Sequence, residues 1–308
     1  MDVAERRSLP ERWGLGLMLA PYAVGLAGLV VLPMAVTVAL ALTEYDLIRA
    51  PRYVGLANVR ELAGDDVFRT ALQNSLVFAA IAVPLRLLGA LGLALLLHAR
   101  FRGVGTARTA VTLPTVVPDI AYGLLWLWLL NPLYGPMNLL LTMGGSNGAT
   151  VFGNAPPQWL THPNDARAAI VLMSLFTIGE GFVLLLVTRQ LLPTELYELA
   201  ALEDATWWDV FRRVTLPLMA PVLLLLLLRD TILSFQFNFV PALVVTDGGP
   251  PPYATTYLPL FVYRTGFEYL RYGYAAAASA AMLALTAAIV LLQWRVLARW
   301  RPAVAPGL

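Results

Sequence analysis

The sequence predicts an all-α integral membrane protein with six spans, on three observations. The chain has 308 residues, of which 59% are hydrophobic and only 13% charged. Its mean hydropathy is +0.70, so a soluble domain of this length would lack the charge to keep its surface wet. Its apolar residues also gather into six runs near the roughly 20 residues that cross a hydrocarbon core.

The runs follow in order. Arg6, Arg7 and Arg12 precede residues 15–42, a run too long for a signal-peptide core and without a small-residue cleavage site behind it. It reads as a retained first span after a tail of residues 1–14. Residues 71–97, 110–130, 168–187, 216–245 and 274–297 supply the others, and 298–308 form the C-terminal tail. Pro33, Pro84, Pro114, Pro118, Pro217 and Pro221 lie in or beside these runs; neighbouring helices can re-satisfy the backbone groups they free.

Arginine placement orients the chain. With the N-terminus in the cytoplasm, the inner segments hold Arg6, Arg7, Arg12, Arg100, Arg102, Arg108, Arg189, Arg212, Arg213, Arg295, Arg299 and Arg301. The outer segments hold only Arg49, Arg52, Arg60, Arg69, Arg167, Arg264 and Arg271. Both termini are therefore expected inside. Of the outer segments, 43–70 is polar with a short helix near 56–62. Residues 131–165, rich in Gly, Pro and Asn, read as an irregular loop. Residues 246–271 open on Asp247-Gly248-Gly249-Pro250-Pro251-Pro252, a stiff turn before a short aromatic helix. No repeat of solenoid or half-protein length is visible.

Composition removes several function classes. Without cysteine there is no disulfide, thiolate metal site or cysteine nucleophile. Two histidines, His98 and His162, argue against a histidine-rich metal centre. A net charge of +2 offers no basic face for nucleic acid. No Gly-Lys-Ser/Thr phosphate loop is present, so ATP is not hydrolysed by this chain.

The segment between spans four and five, 191–217, is the most informative. Pro193, Thr194 and Glu195 begin a helix, acids being favoured at its positive end. Leu199, Leu202, Trp207 and Phe211 are candidate apolar contacts, whereas Ala200, Ala201 and Ala205 leave one surface nearly flat. Small residues let another backbone approach, and Glu198, Glu203 and Asp204 beside them suit a basic partner. Pro217 closes the segment where span five begins. An amphipathic linker lying on the membrane surface fits the same periodicity.

The residue pattern resembles the EAA loop of ATP-binding-cassette (ABC) importer permeases: Glu-Ala-Ala, three residues, Gly, then a later Leu-Pro. Glu198, Ala200, Ala205, Thr215, Leu216 and Pro217 fall at matching positions. Leu199 stands where the family usually has Ala, Glu203 for Asp and Asp204 for Gly. The loss of that Gly argues against a tight turn there, though not against docking. Tyr53-Val54-Gly55-Leu56-Ala57-Asn58 with Gln73-Asn74-Ser75 resembles the outer segment of sugar permeases of this class. So do Leu113-Pro114 with Trp126, Trp128, Asn131, Pro132, Gly135 and Asn138, and Thr246-Asp247-Gly248-Gly249-Pro250 with Tyr263, Phe267 and Gly273-Tyr274-Ala275-Ala276.

The resemblance implies the MetI-like permease fold, no enzymatic activity in this chain and no cofactor. It implies pairing with a second, related permease, two cytoplasmic ATPase subunits that each grip a coupling helix, and a solute-binding protein delivering a sugar. Glu198 would then pair with a basic residue of the ATPase.

Five charged residues lie within or beside the apolar runs: Arg86, Asp119, Glu180, Arg229 and Asp230. Such groups are costly at membrane depth and rarely idle. Arg86 and Asp119 fall nearer span ends, where snorkelling or capping would account for them. Arg229 and Asp230 point about 100° apart on a helix, which favours separate partners and a structural or subunit-interface role. Glu180 differs, flanked by Gly179 and Gly181, which open space for a ligand or a helix. In span five, Thr231, Ser234, Phe235 and Asn238 recur at helical spacing and share one face. An aromatic platform beside hydroxyl and amide groups suits a sugar; the same stripe suits hydrogen bonding between helices. Maltose-type permeases of the resembled family bind sugar with these two spans. Counting from the loop and the Thr-Asp-Gly-Gly-Pro turn places Thr177, Glu180, Thr231, Ser234 and Asn238 near that site. Glu180→Ala and Asn238→Ala are expected to reduce uptake without lowering complex yield.

Competing readings are a permease for another solute such as glycerol phosphate, an amino-acid or peptide permease, a secondary transporter and a membrane enzyme. A secondary transporter would show inverted repeats and broken mid-membrane helices around an ion site.

Overall fold

The computed structural model describes residues 10–143, 150 and 155–298. Arg6, Arg7, Arg299, Arg301 and part of the 131–165 loop lie outside those residues. Every apolar run expected to span is helical, and the differences lie at their breaks.

Helix α1 (Pro10–Leu26) passes through a π turn (Ala27–Val31) into α2 (Leu32–Leu40). Leu32 N–H bonds the carbonyl of Ala27, and the widened turn absorbs the ring of Pro33, which an α-helix cannot accommodate without losing a hydrogen bond. The most apolar stretch of Gly16–Leu40 has none of its residues buried by the rest of the chain. A two-stranded antiparallel ribbon follows, β1 (Thr43–Glu44) against β2 (Arg52–Tyr53), then α3 (Ala57–Gly64). Helix α4 (Asp66–Leu96) starts where Asp65 Oδ1 accepts from Val67 N–H at 2.8 Å and Phe68 N–H at 3.0 Å, the usual N-cap arrangement.

Span three is broken. Helix α5 (Val104–Thr112) ends in a 3₁₀ turn (Leu113–Val116), and α6 (Asp119–Leu129) leaves it at 106°. Val117 is extended, φ −73° and ψ 130°, as a residue before proline prefers. The loop expected to be irregular contains a short helix, α7 (Pro136–Thr142), pinned where Trp159 Nε1 donates to Asn138 Oδ1 at 2.8 Å. Span four is also bent, by 42°, between α8 (Pro163–Leu175) and α9 (Gly179–Gln190). Next come α10 (Thr194–Leu202) and α11 (Trp207–Val210). Pro217 does not close the segment as expected. A π turn (Phe211–Thr215), with Leu216 N–H bonded to Phe211 O, carries α11 directly into α12 (Leu216–Phe237). The device is the one used before Pro33. Helices α13 (Phe239–Val244), α14 (Leu258–Tyr263) and α15 (Tyr272–Ala298) complete the chain. Among the described residues, four helical stretches are long and apolar enough to cross a membrane, or six if each bent pair is one span.

Two compact units result. The smaller joins residues up to Gly64 to Val262–Ala281. Within it Asn58 Nδ2 donates to the carbonyls of Ala41 and Thr43 at 2.9 and 2.8 Å. Arg271 forks both oxygens of Glu61 at 2.8 Å while its guanidinium covers the ring of Tyr274.

The larger unit, Asp65–Phe261 with the chain from Met282 onward, holds two apolar clusters. One gathers Phe78, Tyr122, Trp126, Met173 and Tyr257; the other gathers Ala90, Phe182, Leu185, Met219 and Leu226. Polar ties cross between helices and loops: Asn74 Nδ2 donates to the carbonyls of Tyr253 and Thr256, and Leu258 N–H donates to Ser75 Oγ at 2.9 Å. The Thr-Asp-Gly-Gly turn is tightly folded, with Gly248 N–H bonded to Ala242 O at 2.9 Å and Gly249 N–H to Thr246 O at 2.8 Å. A side chain on Gly249, at φ +88°, would meet Thr255 N at 2.6 Å.

Candidate functional site

Two places are candidate sites, the loop between α9 and α12 and a cavity among α4, α6, α9 and α12.

In the loop, α10 ends in a Schellman motif, in which two backbone N–H groups turn back to cap orphan carbonyls. Ala205 N–H bonds Ala200 O at 3.0 Å and Asp204 N–H bonds Ala201 O at 3.3 Å. Asp204 occupies the left-handed position, φ +51°. The expectation that loss of glycine removes the tight turn is therefore corrected: aspartate is among the few L-residues that tolerate this conformation. Thr206 then caps α11, accepting from Asp209 N–H at 3.2 Å.

The loop is fastened to the spans at both sides. The guanidinium of Arg189, at the end of α9, covers the Tyr197 ring at 4.2 Å, and Tyr197 OH meets Thr215 Oγ1 at 3.1 Å. What the loop presents outward is bare. Leu202 is 83% exposed, Leu199 and Trp208 are exposed, and Trp207, 75% exposed, stacks on Phe211 at 5.7 Å. Glu198, Ala201, Glu203 and Asp204 are exposed, with Ala200 and Ala205 half-buried beneath them. Glu198 and Glu203 meet no cation among the described residues. Pro217 sits half-buried in the first turn of α12.

The cavity, about 450 Å³, is bordered by Arg86, Asp119, Thr177, Glu180, Arg229 and Asp230. Arg86 Nε lies 3.5 Å from Asp230 Oδ2, and the same guanidinium donates to Asp230 O at 3.2 Å and to Ser234 Oγ. Arg229 pairs with Glu180 and lies 3.7 Å from Asp230 Oδ1. A chain of alternating charge thus runs from α4 through α12 to α9. Arg86, only 5% exposed, neither snorkels nor caps. Arg229 and Asp230 take their nearest partners from different helices, as their spacing implies, and both border the cavity.

The break in span four serves this geometry. A Cβ on Gly179 would lie 2.8 Å from Thr115 Cγ2 and 2.9 Å from Thr112 Cα. Glycine here lets the start of α9 press against the break in span three, close to where Glu180 meets the cavity. Gly181 meets only ordinary contacts, the nearest Ala90 Cβ at 3.7 Å.

Of the residues singled out in sequence, Thr177 and Glu180 border the cavity, whereas Thr231, Ser234, Phe235 and Asn238 face into the protein. Thr231 Oγ1 accepts from Gln293 Nε2 of α15 at 2.9 Å, and Ser234 accepts from Arg86. Phe235 is buried, and Asn238 is fully buried with no hydrogen bond to its amide among the described residues. The face of α12 toward the cavity carries Leu226, Arg229, Asp230 and Leu233 instead. The sequence marks Arg86, Asp119 and Asp230 as charges in or beside apolar runs but carries no signal that they converge.

Comparison with known proteins agrees with this architecture. Residues 90–302 match the family described as binding-protein-dependent transport system inner membrane component. The probable ABC transporter permease YesP of Bacillus subtilis is 28% identical, over 92% of this chain and 89% of its own. The trehalose/maltose transport system permease MalF of Thermococcus litoralis is 30% identical, over 80% of this chain and 81% of its own. A chain of a bacterial alginate ABC transporter, solved in complex with an alginate pentasaccharide-bound periplasmic protein, superposes with a TM-score of 0.80. It covers 94% of this chain and 96% of its own at 22% identity, a likeness of fold. The chain therefore belongs to the binding-protein-dependent transport system inner membrane components, has the MetI-like permease fold, and is a transmembrane permease subunit of an ABC importer.

Proposed function

We propose that this subunit forms one half of the bilayer pathway for a sugar or oligosaccharide handed over by a solute-binding protein. A second, related permease supplies the other half, and two cytoplasmic ATPase subunits drive the cycle. The complex resides in a bacterial-type cytoplasmic membrane, with both termini of this chain inside.

The observation that carries this reading is the 191–217 loop. An exposed, capped helix is fastened to the spans on either side through Arg189, Tyr197 and Thr215. A push on α10 is therefore transmitted to α9 and α12, which border the cavity. Glu198 pairs with a basic group of the ATPase, Ala200, Ala201 and Ala205 permit close approach, and Glu203 and Asp204 flank the contact. Sugar as cargo is supported by relatives named for trehalose/maltose transport and by the alginate transporter's fold. Glycerol phosphate and similar solutes form the alternative.

Thr177 and Glu180, with Arg229 and Asp230, line the route, while Thr231, Ser234, Phe235 and Asn238 support it from behind. The test is Glu198→Arg. Uptake is expected to fall at least about tenfold, equivalent to ~1.4 kcal/mol of coupling, while the complex still purifies intact. Wild-type uptake in that variant defeats the proposal.

A further inference from the structure

The cavity's charge balance says something about its cargo. Five charged side chains border it among the described residues: Arg86 and Arg229 against Asp119, Glu180 and Asp230. Each guanidinium has a carboxylate beside it, Arg86 with Asp230 and Arg229 with both Glu180 and Asp230. Asp119 has no cation in contact among the described residues. The balance is one negative charge in excess, with no guanidinium left to neutralise an incoming anion. A phosphate, sulfonate or uronate would have to displace Glu180 from Arg229 while meeting Asp119.

An uncharged polyol meets none of these obstacles. The Glu180 side chain is 61% exposed and offers acceptor oxygens to hydroxyl groups, bonds that a charge strengthens. Arg86 Nε is closed off from the cavity and faces Asp230 Oδ2 at 3.5 Å, so this guanidinium is committed inside the wall rather than offered to an anion. Tyr122, Leu233 and Phe239 border the same cavity and suit the apolar faces of a sugar ring.

Resting on the reading that this cavity belongs to the cargo route, we infer that the cavity selects uncharged or amine-bearing saccharides and disfavours anionic ones. Asp119 and the Glu180–Arg229 pair act as the charge filter.

The absence of cysteine permits a direct test in the assembled importer. Thr177→Cys, and independently Leu233→Cys, are treated with a cationic and an anionic methanethiosulfonate reagent of similar size. Rates at this chain are normalised to those with a free small thiol. The cationic reagent is expected to react faster on the order of tenfold, and Asp119→Asn to shrink that ratio several-fold. ATP with vanadate should change the rates of both reagents. Equal normalised rates, or a ratio indifferent to Asp119→Asn, overturn the charge filter even where labelling follows the nucleotide state. Cysteines unreactive to both reagents, or indifferent to nucleotide, remove the cavity from the route and defeat both readings.

Discussion

The 191–217 loop and the charged cavity, the two candidate sites, are built oppositely. The loop takes its geometry from neighbours in sequence: a helix, a Schellman turn at Asp204 and a threonine cap within a dozen residues. Its side chains stay exposed for a partner. The cavity draws Arg86, Asp119, Glu180 and Asp230 from four separate helices, and most of its charge is matched internally. A docking surface leaves its contacts unsatisfied, whereas a membrane route must satisfy its charges to exist in lipid. Loop substitutions should therefore impair coupling and spare assembly, and substitutions in the buried part of the cavity should impair assembly first.

Arg86→Ala is the sharpest break of that contrast. Removing one partner of a buried ion pair costs about 3–5 kcal/mol, and the remaining contact of Asp230 with Arg229 favours the lower end. Thermal unfolding of the purified complex should fall steeply, and unchanged stability would mean that the buried pair does not hold the helices.

Next come Glu180→Ala and Asn238→Ala, expected from sequence to behave alike and from structure to diverge. Glu180→Ala should lower uptake several-fold at normal complex yield. Asn238→Ala removes a buried amide that makes no hydrogen bond among the described residues and should leave uptake near wild type, with stability equal or up to ~1 kcal/mol higher. Equal loss of uptake in both would return the Thr231–Asn238 face to the route.

A smaller effect is expected at the loop's turn. Asp204→Gly relieves the left-handed backbone and should stabilise by roughly 0.5–1 kcal/mol with coupling retained. Asp204→Val should do the reverse and lower transport per ATP hydrolysed. Matching behaviour of the two variants would deny the turn a role.

The smallest concerns His98, just beyond α4. Burial, then the positive charges of Arg189, Arg108 and Arg100, holds its pKa below the ordinary histidine value. Its stabilising contribution is therefore full above about pH 6.5 and is lost as pH falls through the lowered value. His98→Gln should flatten the fall in stability of the complex as pH drops below about 6.5; an unchanged profile would assign the dependence to another group.

These contrasts also explain what was legible in the sequence. Hydropathy located the spans because a bilayer imposes length and apolarity on contiguous residues. The EAA-type pattern located the loop for the same reason of contiguity. The 106° break in span three was written in Pro118 and the extended Val117, but an unbroken apolar run concealed it. Pro217 reads as a terminus in the sequence because the π turn before it is not visible in composition. The Thr231–Asn238 stripe was correctly placed on one face, but periodicity cannot say which way a face points when both sides of a helix are covered. Arg86 and Asp230 are 144 residues apart, and their meeting depends on tertiary packing that a single sequence does not expose.

The central claim is that an ATPase grips α10. A photo-reactive side chain in place of Leu202, irradiated in the assembled importer, tests it most directly. A covalent adduct with the ATPase subunit is expected, its yield changing between ATP-bound and nucleotide-free states. Adducts with lipid alone, or with the extracytoplasmic solute-binding protein, would contradict it.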